Sequence, residues 1–138
     1  MDLTPIAARL SIIARCVNAL KSLQTLALEQ FTSDHILQGS AERDFQVAIQ
    51  AALDIASIIL AEHSGEAPSA YADLFPGLSK LGVIPEELSE RLVNMARFRN
   101  VLVYIYLEVD PKLVYQYIQN NLNDFDLYTQ YIARYQKR

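Results

Sequence analysis

Residues 41–59 read AERDFQVAIQAALDIASII, and this stretch decides the class of fold. Its apolar side chains recur every three or four residues, which places them on one face of an α-helix. We expect this helix to begin near Ser40, with residues 42–44 as a charged first turn, and to run to about His63. Its predicted buried face comprises Phe45, Ile49, Ala52, Ala56 and Ile59.

The same helical spacing recurs along the rest of the chain, whereas the alternation typical of β-strands is rare. Thr4-Pro5 and Asp110-Pro111 each combine an N-cap residue with proline at the first helical position, where proline is favoured. Further helices are expected over about 5–29, 69–75, 85–106 and 111–135. The short helix at 69–75 is expected to stop at Pro76-Gly77 and to be followed by a short turn at 78–82. The sequence therefore predicts an all-α protein: a five-helix bundle with four longer helices and one short one, in a single domain spanning 1–138.

The bulk composition limits the possible functions. The chain has 138 residues, 51% of them hydrophobic, which suffices for one core. Its net charge of −4 argues against a broad basic RNA-binding face, so RNA chemistry would rest on a few local arginines or on a second subunit. No apolar run approaches the roughly 18 residues needed to cross a bilayer, and residues 1–16 lack the layout of a signal peptide. We therefore expect a cytoplasmic protein that does not bind membranes, with Cys16 as a small buried hydrophobe.

The candidate functional motif lies in residues 95–106, which read MARFRNVLVYIY. This stretch resembles the signature of the HepT-like HEPN family: arginine, usually followed by asparagine, three further residues, histidine, one residue and tyrosine. Arg99 and Asn100 match its opening and Tyr106 its closing tyrosine, while Tyr104 stands at the histidine position. The resemblance covers about residues 5–122 and includes both the helix quoted first and the order YADLFPGLSKLGVIPEEL at 71–88.

The resemblance implies an HEPN-type bundle that forms a homodimer, in which the motif helices of two subunits face each other across a cleft. It implies a metal-independent RNA endonuclease in which the arginine orients the scissile phosphate and the histidine acts as acid or base. It further implies a type VII toxin–antitoxin pair, in which a minimal nucleotidyltransferase (MNT) antitoxin silences the toxin by transferring AMP from ATP onto Tyr106. No cofactor and no metal site are expected.

The chemistry of the motif residues agrees with part of this expectation. Arg99 carries a forked cation suited to a phosphate. On a continuous helix, Tyr106 would lie about 20° from it in projection, so that AMP on Tyr106 would cover Arg99. A tyrosine side chain, however, ordinarily titrates near pH 10 and a histidine near 6.5, so tyrosine at the histidine position is a poor general acid–base, and loss of that group costs about 10²- to 10⁴-fold in rate. This predicts an impaired ribonuclease. The alternative is a catalytically inactive HEPN module that binds a nucleotidyltransferase partner or a nucleotide.

Each candidate residue also has a structural interpretation. Arg99 could be the buried partner of an acid such as Glu42, and Asn100 could be a solvent-exposed helix residue. Glu42 and Arg43 could help to line the cleft or could only cap and solvate a helix start, with the second role favoured for Arg43. Arg97 could contact a phosphate, although a solvated surface role is favoured.

Similar alternatives apply to the aromatic and imidazole side chains. Seven of the eight tyrosines lie at or after position 104. They could stack on bases, but aromatic packing on the last helix is the favoured interpretation, and Tyr106 itself could be a core-edge residue with a solvated hydroxyl. Arg91, like Arg97, is expected at the solvated surface. His35 and His63 lie outside the motif, and only the tertiary structure could bring either one close to it.

Overall fold

The computed structural model describes residues 4–65, 68, 70–104 and 109–137, and all of its regular secondary structure is helical. The helices are α1 (Pro5–Lys21), α2 (Leu28–Thr32), α3 (His35–Ser64), α4 (Leu74–Lys80), α5 (Glu86–Val103), α6 (Pro111–Asn120) and α7 (Leu122–Gln136), with one turn of 3-10 helix at Tyr71–Asp73. The all-α prediction is confirmed. Each of the four longer predicted helices has a counterpart, although the last one is broken into α6 and α7.

The central element is α3, which is 30 residues long. Asp34 caps its start by accepting hydrogen bonds from two backbone N–H groups, and Gly65 ends it in the left-handed conformation at φ 83°. By length and composition alone α3 could cross a membrane, since one window has a mean hydropathy of 1.5, but 56% of that window is buried within the protein. Burial of this kind is expected of the core helix of a bundle.

The core forms around the middle of α3. Phe45 is fully buried, with its ring 5.3 Å from that of Phe98 on α5 and 6.5 Å from that of Phe125 on α7. The hydroxyl of the fully buried Tyr128 on α7 donates a 2.7 Å hydrogen bond to the carbonyl oxygen of Ala52. Phe98 is adjacent to Arg99 in the sequence, so its contact with Phe45 places the motif-bearing end of α5 against α3.

Near the N-terminus, the predicted end of the first helix and the predicted start of the second long helix were both wrong. α1 ends at Lys21 rather than near Glu29, and the separate short α2 follows it. α3 begins at His35 rather than near Ser40, because Asp34 supplies its cap and the side chain of Gln38 donates to two carbonyls at the end of α2. Residues 42–44 therefore lie inside the helix and are not its first turn.

The short helix was also misplaced, at 69–75 instead of Leu74–Lys80. Pro76 does not stop it, since proline is tolerated in the first turn of a helix. Gly77 serves close packing there: a Cβ at this position would lie 2.9 Å from a methyl carbon of Leu60 on α3. The turn expected after it, at residues 78–82, is instead the second half of α4 and its C-terminal end.

The tyrosines of α6 and α7 pack and hydrogen-bond within the bundle, as the favoured interpretation held. The ring of Tyr117 stacks on Phe98 with centroids 3.9 Å apart. The hydroxyl of Tyr115 donates a 2.7 Å hydrogen bond to the carbonyl of Leu26, and Tyr135 bonds to His63 at 2.9 Å. Cys16 is buried, and burial raises the pKa of its thiol, in keeping with its expected role as a small hydrophobe.

Arg91 lies at the surface, as expected, with 45% of its side chain exposed, and it also has a structural partner. Its Nε donates a 2.8 Å hydrogen bond to Oδ1 of Asp124, whose side chain is only 9% exposed. This ion pair joins α5 to α7.

Candidate functional site

Arg99 lies near the C-terminal end of α5 with its side chain half-buried. Its Nη2 donates a 2.6 Å hydrogen bond to Oε1 of Gln50 on α3, and its Nη1 donates a longer one, 3.3 Å, to Oδ1 of Asn100. Its Nε is buried and has no hydrogen-bond partner among the described residues. The guanidinium also lies 5.8 Å from the ring centroid of Tyr71. Arg99 is thus held in place through two of its five N–H groups.

The Gln50 side chain that holds Arg99 is itself fixed by a second set of polar contacts. Its Nε2 donates a 2.8 Å hydrogen bond to Oδ1 of Asp54, and Oδ2 of Asp54 accepts a 3.2 Å bond from Nε of Arg9 on α1. The result is a polar chain, Arg9–Asp54–Gln50–Arg99, that crosses three helices. Because the Nε2 of Gln50 donates to Asp54, the amide oxygen of Gln50 is the atom that faces Arg99.

A third polar residue on the same face of α3 fixes the end of α5. Gln46 donates through Nε2 to the backbone carbonyl of Leu102 at 2.8 Å. Gln46, Gln50 and Asp54 are spaced four residues apart, so they share one helix face. The sequence analysis missed all three, although polar residues at this spacing within an otherwise apolar run were a usable signal.

These side chains line a groove of about 420 Å³ between α1, α3 and the end of α5. Its lining comprises Arg9, Ile12, Arg43, Gln46, Val47, Gln50, Ala51, Asp54, Arg99 and Val103. Three arginines and one acid give it a local excess of positive charge, although the whole chain is acidic. Both carboxylate oxygens of Asp54 are already engaged. The groove is therefore suited to an anion.

The predicted extension of the motif helix to Tyr106 was wrong. α5 ends at Val103, and Tyr104 leaves the helix with φ −87° and ψ 65°. Tyr106 lies outside the described residues, so the helical projection that put it over Arg99 no longer applies. Tyr104 is 51% exposed, beside the equally exposed apolar Val101 and Val103 at 47% and 45%.

The remaining candidates are distributed over different surfaces. Asn100 is exposed and accepts the longer bond from Arg99. Arg97 is exposed, bonds to Asn94 at 3.1 Å, and lines a separate groove of about 530 Å³ between α4 and α5. Arg97 and Asn100 also meet at a small cavity of about 60 Å³.

Of Glu42 and Arg43, only Arg43 lines the groove. It does not cap the start of a helix, because α3 begins at His35. Burial raises the pKa of the half-buried Glu42, and nearby His35 opposes this rise. The structural interpretation that paired Arg99 with Glu42 was wrong, because the residue on α3 that holds Arg99 is Gln50.

Neither histidine reaches Arg99 within the same subunit. His35 and His63 stand at the two ends of α3, 15 and 13 residues from Gln50 in the sequence. At about 1.5 Å per residue, each lies roughly 20 Å along the axis from the residue that holds Arg99. No group of three or more metal-ligating side chains occurs among the described residues. Among the described residues, the lining of this cationic groove contains no histidine.

Comparison with known proteins gives these features a context. A family model for "Ribonuclease HepT-like" proteins matches residues 13–132. The tRNA nuclease HepT of Aphanizomenon flos-aquae is 30% identical over 130 residues, which cover 94% of this chain and 88% of that protein. The mRNA nuclease HepT of Shewanella oneidensis is 29% identical over 118 residues, covering 86% and 88%.

The fold agrees with the sequence comparisons. The structure of the tri-AMPylated Shewanella oneidensis HEPN toxin in complex with its MNT antitoxin superposes with a TM-score of 0.86 at 27% identity, covering 96% of this chain and 99% of that one. The resemblance inferred from the motif and the helix order is confirmed. The chain belongs to the ribonuclease HepT-like family of HEPN proteins.

Proposed function

We propose that this protein is the toxin of an HEPN/MNT toxin–antitoxin pair and that its chemistry is that of a metal-independent RNA endonuclease. The observation that carries the proposal is Arg99, which is held by Gln50 in a positively charged groove and has no acidic partner in its described lining. A fixed guanidinium whose charge is not neutralised by a carboxylate is suited to neutralising and orienting a phosphodiester. The names of the HepT relatives, a tRNA nuclease and an mRNA nuclease, support the same class of substrate.

We further propose that this protein cleaves RNA more slowly than family members with the motif histidine, because Tyr104 occupies the histidine position. A phenol with a pKa of about 10 remains protonated at neutral pH and is a poor general base. Tyr104 can still donate a hydrogen bond or stack on a base. The protein would then still bind RNA, although it would cleave RNA slowly.

A second candidate function is a catalytically inactive module that binds its nucleotidyltransferase partner or a nucleotide. It is favoured by the combination of a cationic groove with no histidine among its described lining residues. The two functions differ in one readout, since only the first cleaves RNA. In both cases we propose a cytoplasmic protein with a nucleotidyltransferase partner.

The assembly we propose is a homodimer. Val101, Val103 and Tyr104 are exposed at the end of α5, and Val103 also lines the groove that contains Arg99. A second copy covering this end of α5 would bring two Arg99 grooves together, and twofold dimers are the commonest closed assembly. Multi-angle light scattering at micromolar concentration should give about twice the subunit mass of 15.6 kDa. A mass of one subunit under these conditions would contradict the proposal.

The role of Arg99 is tested by RNA binding rather than by cleavage, because cleavage is expected to be slow already with Tyr104 at the histidine position. Arg99→Gln is expected to weaken binding of a labelled single-stranded RNA by about 10- to 100-fold, because a hydrogen bond to a charged group contributes about 1.5–3 kcal/mol. Fluorescence anisotropy at fixed salt measures the change. Arg97→Gln is the matched control, since it removes the same charge from the same helix but from a different groove. Equal affinity of Arg99→Gln and the unmodified protein would refute the assignment.

A further inference from the structure

We infer that Arg43 forms a second phosphate subsite in the groove of Arg99, so that this groove binds two phosphate groups of one RNA strand. The inference rests on the proposed function and extends it. It assigns to Arg43 a contact with a phosphate that is not cleaved, of the kind that positions a nucleic acid without reading its sequence.

The register of α3 sets the distance between the two subsites. Arg43 and Gln50 are seven residues apart, which is nearly two turns, so they share a face and are separated by about 10 Å along the axis. Gln50 is bonded to Arg99 at 2.6 Å, and both arginines line the same groove. The two guanidinium groups are therefore attached to one rigid frame, on either side of the Gln46 contact that fixes the end of α5.

The charges around the groove leave these two arginines as its effective cations. Arg9, the third arginine, forms an ion pair with Asp54 at 3.2 Å. Asp54 is the only acid among the described residues that line the groove. Its two oxygens accept from Arg9 and Gln50, so Arg43 and Arg99 have no acidic partner in the described lining.

The acids next to Arg43 in the sequence are directed elsewhere. Asp44 is half-buried near Arg15 and Cys16 on α1, and although burial raises the pKa of its carboxyl, Arg15 opposes that rise. Glu42 lies near His35. Neither Glu42 nor Asp44 lines the groove. Arg43 is therefore an exposed, permanently charged donor at the open side of an apolar surface formed by Val47 and Ala51.

An RNA strand and a nucleotide such as ATP both carry phosphate groups, but the spacing between those phosphates differs. The phosphates of a nucleoside triphosphate are directly linked, so they fit closely spaced cations. Arg43 and Gln50, the residue that holds Arg99, are attached to α3 about 10 Å apart along its axis, with the apolar Val47 between them, and this spacing suits phosphates separated by sugar and base. The geometry accordingly favours RNA over ATP as the ligand that contacts Arg43.

The test is the salt dependence of RNA binding by the full-length protein. For single strands, the slope of log K against log salt is about −0.7 per neutralised phosphate, so Arg43→Gln should make the slope shallower by about 0.7. Between about 50 and 200 mM salt, that variant should lose about threefold less affinity than the unmodified protein. Arg43→Lys should restore most of the slope because it keeps the charge, and Arg97→Gln should leave it unchanged. Circular dichroism verifies that the variants fold equally.

Parallel titrations with ATP distinguish the two sources of phosphate. If Arg43→Gln weakens ATP binding and leaves the RNA slope unchanged, the second subsite serves a nucleotide and the inference is overturned. If Arg99→Gln reduces RNA affinity and Arg43→Gln alters neither affinity nor slope, the inference also fails, but the proposed function stands. If Arg99→Gln does not reduce RNA affinity, the proposed function itself is refuted.

Discussion

Tyr104→His is expected to raise the rate of RNA cleavage by about 10²- to 10⁴-fold at neutral pH, because it supplies a group that can give or take a proton there. The position is favourable for such a change. Tyr104 directly follows the last residue of α5, five residues after Arg99, and is 51% exposed, so the smaller imidazole should fit without repacking the core. Single-turnover cleavage of a labelled mixed RNA by the purified proteins measures the gain.

Three comparisons make this experiment specific. Arg99→Gln in the Tyr104→His background should return the rate to its starting level, because the phosphate loses its positioning charge. Tyr104→Phe, which removes only the hydroxyl, should leave the slow starting rate unchanged. The gained activity should also depend on a group that titrates near pH 6.5, the ordinary range of histidine.

Two results would count against this role of position 104. If Tyr104→His cleaves no faster than the starting protein, the missing acid–base group does not belong there. If the starting protein already cleaves efficiently and Tyr104→Phe is equally active, another group performs the proton transfer. His35 and His63 of the same subunit are unsuitable, since both lie at the ends of α3, roughly 20 Å along the axis from Gln50.

The sequence was sufficient to predict the class of fold because α3 and its neighbours carry strongly periodic apolar faces. The positions at which helices begin and end were predicted less well, since several depend on contacts between distant residues. α5 ends where Gln46, 56 residues away in the sequence, bonds to the carbonyl of Leu102. Gly77 suggested a helix stop, yet it allows close packing against Leu60. No local pattern contains either contact.

Only part of the candidate site was predicted from the sequence, because several of its residues meet only through the packing of distant helices. Arg99 and Asn100 were recognisable because they are adjacent in a motif. The role of Gln50 depends on the packing of α5 against α3, and that of Asp54 on the packing of α1 against α3. Arg43 was taken for a residue near a helix start because the cap at Asp34 was missed. Arg43 lies two turns before Gln50 on the groove face, a relation that gained meaning only when Gln50 was found to hold Arg99.

The last prediction concerns the control of this site by its partner. Incubation with the cognate nucleotidyltransferase, ATP and magnesium is expected to add one or more AMP units to Tyr106 and to abolish RNA binding. The motivation is the family motif together with the related toxin from Shewanella oneidensis, which is tri-AMPylated in complex with its MNT antitoxin. Peptide mass spectrometry locates the adduct, and fluorescence anisotropy measures RNA affinity before and after the reaction.

The physical basis of this loss is competition within one molecule. A phosphate attached a few residues from Arg99 has an effective concentration on the order of millimolar, so even a weak attraction to the groove would fill it. Tyr106→Phe should remain unmodified and keep its RNA affinity, whereas Tyr104→Phe should still be modified, although Tyr104 is an exposed competing phenol. AMP found on Tyr104 with Tyr106 bare would defeat the assignment. Modified protein that still binds RNA fully would mean that the adduct does not reach Arg99 and Arg43, and that silencing acts after binding.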